Sequence, residues 1–243
     1  MNSVFFFRDE YTGSTAKLLG ERLKTFRHSH NFDCGQNFIA CVEGIGSGTG
    51  IVTAIYDDKI EFDITLSKGV LDRLPVVLIV GVCRPQTVRK VINIGTTFGV
   101  EEIHFVRCAN SQKSYLSSSA LNPPEVEKEM TTALEQAVDC IMPGFFVHPR
   151  FKPFAEDILP SVINVNPSEA ILADTHHISN QSSVTLSASA LRRVLAVGPE
   201  AGWNDFEREL FLSQGFKPIA LGQRILRVET AVAALVGMTL RSQ

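Results

Sequence analysis

The feature that most limits what this chain can become is Pro75 followed by Val76-Val77-Leu78-Ile79-Val80-Gly81-Val82, an apolar run with no alternation. A strand with one wet face alternates, so an unbroken run of this length predicts a strand buried on both faces of a parallel sheet. The downstream residues repeat the theme. A helix is predicted over about residues 86–98, with Val88, Val91, Ile92 and Ile94 near one face, and then a strand at 103–106. Asn122 reads as the cap of a helix opened by Pro123, with Glu125 and Glu127 near its positive end. Its inward face is Val126, Met130, Ala133, Ala137 and Ile141. Strands are predicted at 145–148, 170–173, 194–198 and 218–221, and helices at 205–213 and 228–240. Strands alternating with helices over residues 69–243 imply an α/β domain with a mostly parallel sheet.

The chain before residue 69 has a different texture. Residues 38–42, 49–56 and 60–66 are short β-prone runs, separated by Glu43-Gly44-Ile45-Gly46-Ser47-Gly48 and by Asp57-Asp58-Lys59. Residues 14–26 read as a helix with Leu18, Leu19, Leu23 and Phe26 on one face. Residues 1–68 are therefore expected to form a small β-rich domain. A hydrophobic fraction of 44% excludes a disordered chain. No apolar run reaches the roughly 20 residues of a membrane span, and the first ten residues lack a leader's basic and apolar regions. A cytoplasmic protein with no membrane partner is the expectation.

Five cysteines, odd in number and without a CxxC pair, predict buried reduced thiols rather than disulfides or zinc. His28 and His30 lie two apart and His176-His177 adjoin, so neither pair has metal-ligand spacing, and no metal is expected. The polar residues 179–189 read as a surface loop.

In open parallel sheets ligands bind beyond the carboxyl ends of strands. Three such ends carry unusual residues: Leu172-Ala173-Asp174-Thr175, Gly198-Pro199-Glu200-Ala201-Gly202, and Leu221 through Ala231. Asn204 and Glu207 have capping-box spacing, which predicts a helix start just past the second end. In the third, Arg224, Arg227 and Glu229 stand at the mouth of a helix so apolar that it must be buried. Either Glu229 pairs with Arg224 or Arg227 simply to fix the loop, or these charges do chemistry. The dinucleotide fingerprint GxGxxG is absent, which argues against an oxidoreductase.

Gly198-Pro199-Glu200-Ala201-Gly202, followed by Leu221-Gly222-Gln223-Arg224-Ile225-Leu226-Arg227-Val228-Glu229-Thr230-Ala231, resembles the paired signature of the SPOUT methyltransferases. More narrowly, it is similar to the family that methylates N3 of a uridine in bacterial 16S ribosomal RNA. Phe98-Gly99-Val100, Gln112-Lys113-Ser114-Tyr115, Leu134-Glu135-Gln136-Ala137 and Arg150-Phe151-Lys152-Pro153-Phe154 extend the resemblance over about residues 70–243. It implies a C-terminal trefoil knot, a PUA-like β-barrel for RNA in residues 1–68, and a homodimer. It also implies S-adenosylmethionine as cofactor, held by Leu172, Ala173, Gly198, Pro199, Glu200, Gly202, Leu221, Gly222, Ile225 and Leu226. This chain departs from the family pattern at Ala201, Gln223, Asp174-Thr175 and Gln112, where Gly, Pro, His-Pro and an acidic residue are usual.

The resemblance implies 16S rRNA or the small ribosomal subunit as partner. Arg227 is then the candidate to stabilise the uracil anion, with Glu229 orienting it or accepting a proton. A non-catalytic RNA-binding module on the same fold is the alternative. For RNA contact the candidates are Arg84, Arg89 and Lys90, whose other reading is a solvated face, together with Lys17, Arg22, Lys24 and Arg27. The last four fall with His28 and His30 in a stretch whose single acid is Glu21. With a net charge of −3, RNA recognition must rest on shape and a few placed cations.

Overall fold

The computed structural model describes residues 3–29, 32–164, 168–175 and 191–240. They form two compact units: residues 1–72 with 131–142, and residues 73–130 with 143–243.

In the first unit, β1 (Val4–Phe6), β2 (Tyr11–Thr12), β3 (Thr15–Leu19), β4 (Asn37–Val42), β5 (Gly46–Ile55) and β6 (Lys59–Lys68) make one sheet ordered β1-β4-β5-β6-β3-β2. β6 shows why: Ile60, Phe62 and Ile64 point into the core while Asp63 and Thr65 face out, the period of two that a half-wet strand requires. Phe6, Phe26 and Phe62 meet edge-on at the centre of that core, at 5.2 and 5.6 Å.

The expected helix over residues 14–26 is corrected. Residues Thr15–Leu19 are β3, paired antiparallel with β6, and the helix α1 begins only at Gly20 (Gly20–Ser29). Ala16 and Leu18 are buried while Lys17 and Leu19 are exposed, which is strand alternation. Leu18 of β3 and Leu23 and Phe26 of α1 belong to one core, and this made two periods look like one.

The second unit opens with β7 (Leu74–Gly81), which is followed by α2 (Pro85–Thr97), β8 (Val100–Val106), a short α3 (Lys113–Leu116) and α4 (Pro123–Ala137). From Thr131 onward α4 belongs to the first unit. Next come β9 (Gly144–His148), then α5 (Phe151–Pro153), a π turn (Phe154–Ile158) and α6 (Leu159–Ile163). The chain continues with β10 (Ser168–Ala173), β11 (Arg192–Val197), α7 (Asp205–Ser213), β12 (Lys217–Ile219) and α8 (Val228–Leu240). All six strands of this unit are parallel, in the order β12-β10-β11-β7-β8-β9.

β7 is the spine of the sheet, with Val77, Leu78, Ile79 and Val80 fully buried between Leu195 of β11 and Ile103 of β8. From β7 the chain first builds outward through β8 and β9. It later returns to fill the other side with β11, β10 and β12. The order therefore reverses between β7 and β11, and the loops after these two strands diverge to leave a crevice beyond the strand ends.

Candidate functional site

At that crevice lies a cavity of about 650 Å³, within the range of roughly 300–1,000 Å³ that holds small ligands. The segments beyond four strand ends contribute walls: Arg84, Thr87 and Lys90 after β7, Asp174 and Thr175 after β10, Gly198 to Trp203 after β11, and residues between Ala220 and Glu229 after β12. Close packing holds the β7 and β11 ends together. A Cβ added at Gly81 would stand 2.4 Å from Cδ of Pro199, so only glycine fits there. The Gly202 N–H donates to the Pro199 carbonyl at 2.8 Å and Gly202 takes φ +72°, which closes a tight turn whose backbone faces the cavity.

The cavity's carboxylates all have partners. Glu200 accepts the backbone N–H of Arg84 at 3.0 Å, at the start of α2. Asp174 accepts Nε of Arg208 at 2.5 Å. Glu229 accepts Nζ of Lys90 at 2.9 Å, and that hydrogen bond holds its carboxyl below the usual carboxylate range. The pairing of Glu229 with Arg224 or Arg227, weighed from the sequence, is thus replaced by Lys90 on a different helix. Arg224 and Arg227 are exposed and make no side-chain hydrogen bond or ion pair among the described residues. The mouth of the cavity therefore presents two exposed guanidinium groups, of which Arg227 also attracts the Glu229 carboxylate through space.

Behind the β11 loop sits a polar brace that the sequence half disclosed. The capping box forms as expected: the Glu207 N–H donates to Oδ1 of Asn204 at 2.8 Å, and the Asn204 N–H to Oε2 of Glu207 at 3.1 Å. The other carboxylate oxygen of Glu207 accepts the Ala109 N–H at 2.6 Å, although Glu207 is 1% exposed. Asn110 donates to the Gly202 carbonyl at 3.1 Å, and the Ser111 hydroxyl donates to the Val82 carbonyl at 2.7 Å. Residues 108–111 after β8 thus fasten the ends of β7 and β11.

Of the sequence candidates, Ala173, Gly198, Pro199, Glu200, Gly202, Leu221, Gly222, Ile225, Leu226, Arg227, Glu229, Arg84 and Lys90 converge on the cavity. Leu172 does not: it is fully buried in the apolar core below. Nor does Arg89, whose guanidinium lies 3.5 Å from Glu129 and 3.6 Å from Glu125. Gln86, Thr87 and Trp203 line the cavity without having been singled out. Thr87 sits one helical turn before Lys90, the spacing that would have found it.

In the first unit the basic cluster is only partly free. Arg22 pairs with Glu10 at 3.1 Å, donates to the Phe5 carbonyl and lies over the Phe7 ring, so it serves as a structural tie. Lys24 reaches Glu21, Lys17 lies 3.6 Å from Glu61, and Arg27 donates to the carbonyls of Tyr56 and Asp57. Lys24 and Lys17 remain largely exposed. His28 is exposed on α1, while His30, His176, His177 and residues 179–189 lie outside the described residues. All five cysteines are free, but Cys34 is exposed rather than buried. No helix among the described residues is long and apolar enough to cross a membrane.

Comparison with known proteins agrees with the geometry. Residues 71–240 match the model of the RNA methyltransferase domain family. Ribosomal RNA small subunit methyltransferase E of Treponema pallidum is 28% identical over 166 residues, which cover 68% of this chain. That match spans 62% of the Treponema protein, less than two thirds of its length. Among solved structures, ribosomal RNA small subunit methyltransferase E of Neisseria gonorrhoeae bound to S-adenosylmethionine superposes with a TM-score of 0.81, covering 98% of this chain and 97% of that one at 17% identity. A putative methyltransferase of Legionella pneumophila with bound S-adenosylmethionine gives a TM-score of 0.82, covering 100% and 98% at 16% identity. At these identities the two structures establish a common fold. With the family model covering most of the chain, including every cavity wall, this chain belongs to the RNA methyltransferase domain family.

Proposed function

We propose that this chain is an S-adenosylmethionine-dependent methyltransferase that modifies N3 of a uridine in 16S ribosomal RNA. The observation that carries the reading is the cavity at the strand-order reversal, walled by glycine-bearing turns and fronted by the exposed Arg224 and Arg227. The relatives' names and the cofactor in the Neisseria and Legionella structures support it.

The residues present fit the cofactor. Backbone of Gly198–Gly202 and Leu221–Gly222 offers hydrogen bonds at close range, and Ile225, 79% exposed, is an apolar side chain waiting for a flat partner. When bound, S-adenosylmethionine supplies an electrophilic methyl group on a sulfonium.

Arg227 lies where it can stabilise charge on the uracil oxygens as N3 gives up its proton. Glu229, kept ionised by Lys90, is a hydrogen-bond acceptor and fixes Lys90 rather than Arg227. Arg84 and Arg224 meet RNA phosphates at the rim, and Lys17, Lys24 and Arg27 are the RNA-contacting cations of the first unit, taken by itself. Residues 1–68 serve as a PUA-like RNA-binding barrel, and residues 69–243 as the catalytic domain. In that domain the C-terminal chain threads a trefoil knot, and two copies form the working dimer in the cytoplasm.

The test is nucleoside mass spectrometry of 16S rRNA after incubation of unmodified small subunits with the protein and S-adenosylmethionine. N3-methyluridine is expected with the wild type and none with Arg227→Ala, which still binds the cofactor by calorimetry. RNA binding without measurable cofactor affinity would replace the reading with a non-catalytic RNA-binding module.

A further inference from the structure

Asp174 stands one residue beyond β10 and lines the cavity, yet its side chain is only 3% exposed. Its backbone N–H donates to the Ile219 carbonyl at 2.9 Å, which ties it to the end of β12. Its carboxylate takes Nε of Arg208 at 2.5 Å. Arg208, on α7 and itself 11% exposed, gives its remaining nitrogens to the Trp203 carbonyl at 3.1 Å and to Asp205 at 2.6 Å. One planar guanidinium fork therefore joins the end of β10 to the β11 turn and the first turn of α7, while Asp174 carries the link on to β12.

We propose that Asp174 and Arg208 are positioning residues for the cofactor cavity. They act as a buried clamp that sets the gap between Ala173–Asp174 and the Pro199–Trp203 turn, and with it the affinity for S-adenosylmethionine. The proposal rests on the methyltransferase reading for its ligand. Neither residue touches the reacting atoms. Without the Asp174 charge, Arg208 keeps the Trp203 carbonyl and the exposed Asp205 but loses its tie to the residue that follows β10.

The second unit supplies its own control. Glu169 and Arg193 form another buried ion pair between β10 and β11, each side chain 5% exposed and 3.6 Å apart, at the starts of the strands and away from the cavity. Calorimetric titration with S-adenosylmethionine is run on the wild type, Asp174→Asn, Arg208→Lys and Glu169→Gln, with a thermal melt of each. Asp174→Asn is expected to weaken binding by about tenfold or more, while Glu169→Gln lowers Tm but leaves Kd within about twofold. Arg208→Lys keeps the charge and loses the fork, so its Kd falls between the two, and it serves if Asp174→Asn does not fold. In turnover, Asp174→Asn is expected to raise KM for the cofactor with kcat little changed. Wild-type affinity in Asp174→Asn would overturn the clamp, and so would an equal loss of affinity in Glu169→Gln. If the wild type itself binds no S-adenosylmethionine, the methyltransferase reading fails. The clamp is then decided by acrylamide quenching of Trp203, which must rise in Asp174→Asn and not in Glu169→Gln.

Discussion

Glu207 offers the sharpest test of how the site is held. Its carboxylate is 1% exposed and accepts two backbone N–H groups, from Ala109 at 2.6 Å and Asn204 at 3.1 Å. Hydrogen bonds to a charged group contribute roughly 1.5–3 kcal/mol each. Glu207→Ala strands both donors, but it also removes a carboxylate that was costly to bury. The net loss is expected at about 3–4 kcal/mol. Glu207→Gln keeps one carbonyl acceptor and turns an amide N–H toward the other donor, so it should lose about half as much. Trp203 is the only tryptophan of the chain, is 4% exposed and directly precedes the cap residue Asn204. Urea unfolding followed by its emission therefore reports on this loop. Glu125→Ala, which removes a partly exposed partner of Arg89, is the comparison and should cost less than about 1 kcal/mol. If Glu207→Ala falls within about 1 kcal/mol of the wild type, the carboxylate does not brace the loop and the reasoning is wrong.

Three further outcomes are expected. Gly81→Ala places a methyl group 2.4 Å from Cδ of Pro199, and overpacking of that kind costs about 1–3 kcal/mol; melting and cofactor titration should both deteriorate, and an unchanged Tm would contradict the close approach. Lys90 holds the Glu229 carboxyl below its ordinary range, so the stability the pair contributes is present above the unfolded carboxylate pKa and is lost as pH falls through the folded value. Because Lys90 is 56% exposed, the gap between wild type and Lys90→Met should be under about 1 kcal/mol at neutral pH and vanish in acid; a gap that widened on acidification would refute the pairing. Brief treatment of the native protein with iodoacetamide should label Cys34 alone, since burial raises the thiol pKa of Cys83 and Cys108 and shields Cys41 and Cys140; rapid multiple labelling would argue against the packing.

Much of the second unit is legible in the sequence because its signals are local. The helices Asp205–Ser213 and Val228–Leu240 follow from a capping box and from an apolar run, and both occur where the pattern places them. β7 announces itself by being apolar throughout. The errors arise where local pattern and distant pairing compete. Residues 15–19 carry leucines at spacings that suit either a strand or the start of a helix, and β6, forty or more residues away, decides the matter. The site divides in the same way. The glycine turns and arginines are visible as motifs, whereas the partner of Glu229 lies on α2, 139 residues distant, and no spacing rule reaches that far. Arg22 looks like a free cation in a basic stretch, but Glu10 and the ring of Phe7 claim it. Only the capping half of Glu207 is local, and its bond to Ala109 is not.

The strand order has a consequence for how the chain is made. β7 meets β8 soon after it is synthesised, but its other neighbour, β11, lies more than a hundred residues further along. At about 5–20 residues per second, a ribosome takes roughly 5–20 s to deliver that partner. Throughout that interval the most apolar strand of the protein has one open edge, a state in which nascent chains can pair with each other instead of with themselves. The cavity is the last structure completed, because every wall except the one from α2 comes from residues beyond 172. A chain stopped short of that point has the locally paired half of its sheet and no binding site.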